Sequence, residues 1–119
     1  MSPMDFLAGF LLTIGALACA CATGPARADH HTAAECREGG EFIRNAARSR
    51  DAGMARDAFM ARLTGDLLTI RALPRELRWF ARDESDEQLL VLHATHVFDR
   101  PAEPAEHEDE FLQACMPRV

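Results

Sequence analysis

From residue 32 onward, apolar side chains return every three or four positions, the period of a helix that buries one face. Cys36, Gly40, Ile43 and Ala47 mark the first stripe, with Phe42 and Ala46 beside it and charged residues on the other faces. Thr32 and Glu35 stand where a capping box would start this helix. Arg50-Asp51-Ala52-Gly53 supplies a glycine stop. Gly39-Gly40 costs a helix interior roughly 1 kcal/mol per glycine. The pair is compatible with close approach of another helix, with a kink, or with a later helix start.

A second helix is expected over 55–72, with Phe59, Leu63, Leu67 and Ile70 in one stripe and Thr64-Gly65-Asp66 as a place where it could divide. Leu73-Pro74 bounds it, because the residue before proline avoids the helical region. Pro74 can then open a short helix carrying Leu77, Trp79 and Phe80. Ser85-Asp86-Glu87-Gln88 reads as a second capping box, and the helix behind it holds Leu89, Leu90, Leu92, Ala94, Val97 and Phe98. Pro104 opens the last helix, which ends on Phe111, Leu112 and Cys115. No stretch alternates as a strand would. The expected fold is all-α: an up-and-down bundle of four main helices, or five segments with the one at Pro74, closed by one disulfide.

Residues 1–28 read as an export signal and 29–119 as a single helical domain. Positions 6–22 form an apolar run, followed by Thr23-Gly24-Pro25 and then Ala26-Arg27-Ala28. Ala-x-Ala is the small-residue pattern at a signal-peptidase cleavage site. Two rival readings stay open. A retained anchor needs about 20 apolar residues, whereas this run is broken by Gly9, Thr13 and Gly15. A lipoprotein signal would use a cysteine just after the run, and Cys19 and Cys21 stand there. The expected compartment is therefore the periplasm or the medium of a Gram-negative bacterium, with membrane attachment only if Cys19 is lipidated.

Export gives the remaining cysteines their meaning. Cys36 and Cys115 are the only two beyond the leader, and an oxidising compartment pairs such cysteines. The loop they close is about 80 residues, which on the chain-entropy account stabilises by roughly 4–4.5 kcal/mol. Composition narrows the function classes further. The chain has 119 residues, a net charge of −6, and 13 Lys+Arg, all of them arginine. That balance argues against nucleic acid, which needs a basic face.

His93 and His96 lie three apart on one helix, close enough to share a metal. His107, Glu103 or His30-His31 could complete such a site; the alternative is one core-edge and one solvent imidazole. The acidic stretches 83–87 and 103–110 lack the glycine and alternate spacing of a calcium loop and fit charged helix starts. Ser49 and Ser85 are the only serines beyond the leader, and neither sits in a nucleophile-elbow setting. No catalytic residue and no cofactor is expected. Trp79 and Phe80 read as core or, if exposed, as an anchor for a partner protein.

Cys36, Arg50-Asp51-Ala52-Gly53, Val97-Phe98-Asp99-Arg100-Pro101 and Phe111-Leu112-x-x-Cys115 together resemble a group of small exported two-cysteine proteobacterial proteins of unknown function. The likeness implies a shared framework and lends no catalytic residue. In size, helix content and cysteine layout the chain is also similar to the periplasmic acid-stress chaperones, an architectural analogy. Two functions are expected to compete. One is a periplasmic stress-response, chaperone-like or interaction protein, whose charge would swing from about −6 to about +17 on full acidification. The other is a small-ligand or metal-binding module built on His93 and His96.

Overall fold

The computed structural model describes residues 31–116. The leader, its cleavage site, Cys19, Cys21 and His30 lie outside the described residues. Those described are all helical, in four α-helices and one short 3-10 turn, with no strand among them. None of the helices is long and apolar enough to cross a membrane.

Helix α1 runs Ala33–Asp51. Its capping box forms as expected: the Glu35 amide donates to Thr32 Oγ1 at 3.1 Å, and the Thr32 amide donates to Glu35 Oε1 at 2.8 Å. The chain leaves α1 through Gly53, whose φ of 103° is open to glycine at little cost. Cys36, Gly39, Gly40, Ile43, Ala46 and Ala47 form the buried face. The glycine pair neither delays nor divides α1; it admits a neighbour. A Cβ on Gly39 would stand 2.6 Å from the Phe111 ring and 3.2 Å from the Phe80 ring.

Helix α2, Arg56–Arg71, is continuous through Thr64-Gly65. The Thr64 hydroxyl donates to the Met60 carbonyl at 3.0 Å, inside the helix, so no break is needed to satisfy it. Pro74 is not the first residue of a helix but the residue before a single 3-10 turn, Arg75–Leu77. Trp79 and Phe80 follow in irregular chain. Arg78 holds this connection by donating to the carbonyls of Leu73 and Arg71 at 3.0 Å and of Arg82 at 3.1 Å.

Helix α3, Glu84–Asp99, starts two residues earlier than a Ser85 cap would place it. Asp83 is the cap, its carboxylate accepting from the Asp86 amide at 2.9 Å. A charged acceptor is the stronger partner for an orphan N–H, and starting here also puts Glu84, Asp86 and Glu87 against the positive helix end. Helix α4, Pro104–Cys115, begins with proline at its first turn as expected.

The most extensive pairing joins α1 to α4. Phe111 sits fully buried over Gly39 and packs on Phe80, with ring centroids 5.5 Å apart. Ile43, Leu90, Ala94 and Val97 complete the centre of the core, and Phe59, Leu63 and Leu67 bring α2 to its side. Cys36 and Cys115 are joined, with Cα atoms 5.6 Å apart, inside the usual disulfide range. At the other end of α1, Arg50 donates to the carbonyls of Val97 at 2.7 Å and Ala102 at 2.8 Å, tying α1 to the α3–α4 connection.

The two helix-interior glycines make an internal comparison. Gly39→Ala should cost about 1–3 kcal/mol, because the methyl must displace a buried ring. Gly65→Ala, where nothing lies within 4 Å of the new Cβ, should gain about 0.5–1 kcal/mol. Urea unfolding of the two variants beside the parent reads both signs.

Candidate functional site

An apolar groove of about 660 Å³ runs along α2 and α3. It follows from how the two helices use their apolar residues. On α2, Phe59, Leu63 and Leu67 point into the core, while Leu68, one position on, turns to the outside. On α3, Leu90, Ala94 and Val97 go inward and Val91, Leu92 and Thr95 turn toward α2. Leu68 is 57% exposed and Leu92 49% exposed, so the groove carries a leucine from each of its walls.

Four of the polar side chains along the groove, Thr64, Thr95, Arg71 and Glu87, are engaged. Thr64 and Thr95 donate their hydroxyls to carbonyls of their own helices, Met60 at 3.0 Å and Val91 at 2.7 Å. Toward the start of α3, Arg71 Nε donates to both oxygens of Glu87 at 2.9 and 3.1 Å. This bond holds the largely buried Glu87 carboxyl below its ordinary value, despite the opposing cost of burial. A second hollow of about 370 Å³ lies on the flank of α2 against Phe42, Ile70 and Trp79. The apolar residues of α2 thus face two open depressions as well as the core.

Trp79 and Phe80, expected as core or, if exposed, as a partner anchor, separate. Phe80 is 2% exposed, stacked on His31 at 4.0 Å and packed on Phe111, and has no free surface to offer. Trp79 is 37% exposed and leans on Phe42, with centroids 5.6 Å apart. His31 is held in a polar clasp rather than left free as a ligand. Its Nε2 lies 2.8 Å from Asp86 Oδ1, and its Nδ1 lies 2.8 Å from the Arg82 guanidinium. Arg82 also donates to Glu35 at 3.0 Å.

His93 and His96 are neighbours, with ring centroids 5.7 Å apart. His93 is buried with its ring edge-on to Phe111 at 5.3 Å, and burial pushes its imidazole below the ordinary value. His107, also buried, is bonded through Nε2 to the Arg100 carbonyl at 3.1 Å. Among the described residues, no three His, Cys, Asp or Glu side chains converge as metal donors.

The groove was not singled out from the sequence, although its signal is there. Leu68 and Leu92 lie off the main stripes, and apolar residues outside a stripe mark surface a helix leaves uncovered.

Three carboxylates sit below their ordinary value of about 4.5: Glu35 chiefly through its bond from the Thr32 amide, Glu87 through Arg71, and Glu110 through Arg100. A depressed acid stabilises the fold above its unfolded pKa, and that stability drains as pH falls through the folded value. The midpoint temperature should therefore drop steeply below pH 4.5. Glu87→Gln should lower it at pH 7 and shallow the fall below pH 4.5, as thermal scans across pH would record.

Comparison with protein-family models, with curated proteins and with solved structures gave no match.

Proposed function

We propose that the protein is an exported, non-enzymatic interaction module, chaperone-like in that it receives apolar segments of other proteins in the α2–α3 groove. The observation that carries this reading is the pair of exposed leucines, Leu68 and Leu92, on a mainly apolar groove in which Thr64, Thr95, Arg71 and Glu87 are bonded within the protein. A groove of this kind accepts an apolar side-chain row. With Glu87 paired to Arg71, Glu84 leaves the groove a negative balance that favours basic or neutral segments over acidic ones.

An up-and-down course for the four helices goes with this proposal. It is supported by the ties between α2 and α3, Arg56 to Asp99 at one end and Arg71 to Glu87 at the other. Cys36–Cys115 and Arg44–Glu108 support the same course for α1 and α4. Export is supported by the leader pattern and by a cysteine pair that an oxidising compartment would keep joined.

Two measurements test the reading. The purified protein should slow aggregation of an unfolded client, and Leu68→Asp with Leu92→Asp should abolish that activity while leaving the unfolding midpoint within about 0.5 kcal/mol, as for exposed sites. Equal protection by parent and variant would remove the groove from the function. Mass mapping of the exported chain should place its first residue at Asp29. A chain beginning at a lipidated Cys19 would replace soluble export with membrane attachment.

A further inference from the structure

Consecutive in sequence, α1 and α2 pack little on each other: α1 turns to α4 and α3, and α2 rests on α3. The space left between them is bridged by rings. Phe42 of α1 meets Phe59 of α2 with centroids 6.0 Å apart, and Trp79 meets Phe42 from the connection before α3, 5.6 Å away. The hollow of about 370 Å³ on this flank has Phe42, Trp79, Leu67 and Ile70 among its apolar walls. Its two polar residues are Thr69 and Asp66.

Those two are not equivalent. The Thr69 hydroxyl donates to the Gly65 carbonyl at 3.2 Å and is already engaged. The Asp66 carboxylate has no hydrogen bond or ion pair among the described residues. Arg62, one turn earlier on α2, borders only a smaller adjoining hollow of about 130 Å³, beside Ser49 and Met54, whereas Asp66 borders both. The larger hollow thus offers one uncommitted negative charge and no positive one.

The rings act with the same sign. An aromatic face carries partial negative charge and attracts a cation set over it, tryptophan most strongly. Trp79 is 37% exposed, yet it is held: it packs on Phe42 and lies 5.8 Å from Phe80, which is itself buried against Phe111. A ring fixed before a ligand arrives loses little freedom when one binds.

The structure assigns this hollow a small organic cation with an apolar body, of the arylalkyl- or alkylammonium class, its charge beside Asp66 and Trp79 and its body over Phe42, Leu67 and Ile70. The volume suits one small molecule, toward the lower end of the roughly 300–1,000 Å³ of ligand pockets. The net charge of −6 favours a ligand of the same sign. The hollow lies on the other flank of α2 from the α2–α3 groove, and the assignment needs no occupant there.

The test titrates the purified protein at pH 7 with 2-phenylethylammonium, 2-phenylethanol and phenylacetate, which share a carbon skeleton and differ in charge. Trp79 is the one tryptophan of the chain, so its emission reads the site directly. The cation should shift that emission and bind at least about fivefold more tightly than the alcohol, the scale of an exposed ring contact plus an exposed ion pair. Phenylacetate should bind more weakly than either. Asp66 is exposed, and Asp66→Asn should cut the cation's advantage over the alcohol at least about threefold while leaving the alcohol unchanged. Trp79→Leu, read through the amide shifts of residues 66–70, should weaken the cation by a similar factor. Cation and alcohol binding alike, phenylacetate binding most tightly, or an Asp66→Asn variant with the parent's preference would overturn the assignment. An emission that none of the three ligands changes would do the same.

Discussion

The seat of Phe111 on Gly39 is the contact on which the remaining arrangement depends. Only a residue without a Cβ lets the ring of α4 come so near the backbone of α1. That closeness also lets Phe111 touch Phe80 and His93 at once, so one ring joins α1, α3, α4 and the connection before α3. Helix propensity is given up at Gly39 to obtain it, and at Gly40 to admit Leu112 and Glu108. In a chain this small the exchange is favourable, since interiors are close-packed like organic crystals and a lost methyl-sized fit is felt directly.

Arginine does a second kind of work here. Arg50 and Arg78 spend their planar forks on backbone carbonyls: Val97 and Ala102 for the first, Leu73, Arg71 and Arg82 for the second. Several of these carbonyls lie at or just beyond the last turns of α2 and α3, where helix acceptors go unpaired. A fixed fork suits such sites better than a mobile ammonium, because less freedom is lost per bond formed. The connections are thereby held without glycine-rich turns, and the one before α3 adds the buried ring of Phe80.

Helix count, the first cap, the proline start of α4 and the cysteine pairing were legible in the sequence because each depends on neighbours within a turn or on elimination. The start of α3 was not. Ser85 and Asp83 both make plausible caps locally, and the choice fell to the carboxylate with the better acceptor. Trp79 and Phe80 could not be told apart by pattern either, since in irregular chain adjacent residues carry no fixed period. Phe80 is inward because Gly39 and Phe111 leave space for it, a fact about three separated segments. The groove was hidden for the same reason: Leu68 and Leu92 are unremarkable singly, and only the pairing of α2 with α3 sets them on one hollow. The role of Arg50 lies between residues 47 to 57 apart, beyond any spacing rule.

Helix α2 is the element least enclosed by this scheme. The disulfide and the glycine seat join α1 to α4, whereas α2 rests chiefly on α3 and is flanked by hollows on two sides. Yet it is tethered at both ends, by the Gly53 turn and by the connection that Arg78 fastens. Tethering of this kind keeps α2 opposite α3 at an effective concentration on the order of millimolar or higher. A visiting segment that tried to take the place of α2 would have to outcompete that local concentration, whereas one that settles beside α2 meets no such rival. The connectivity thus favours guests that add to the helical layer over guests that substitute for part of it.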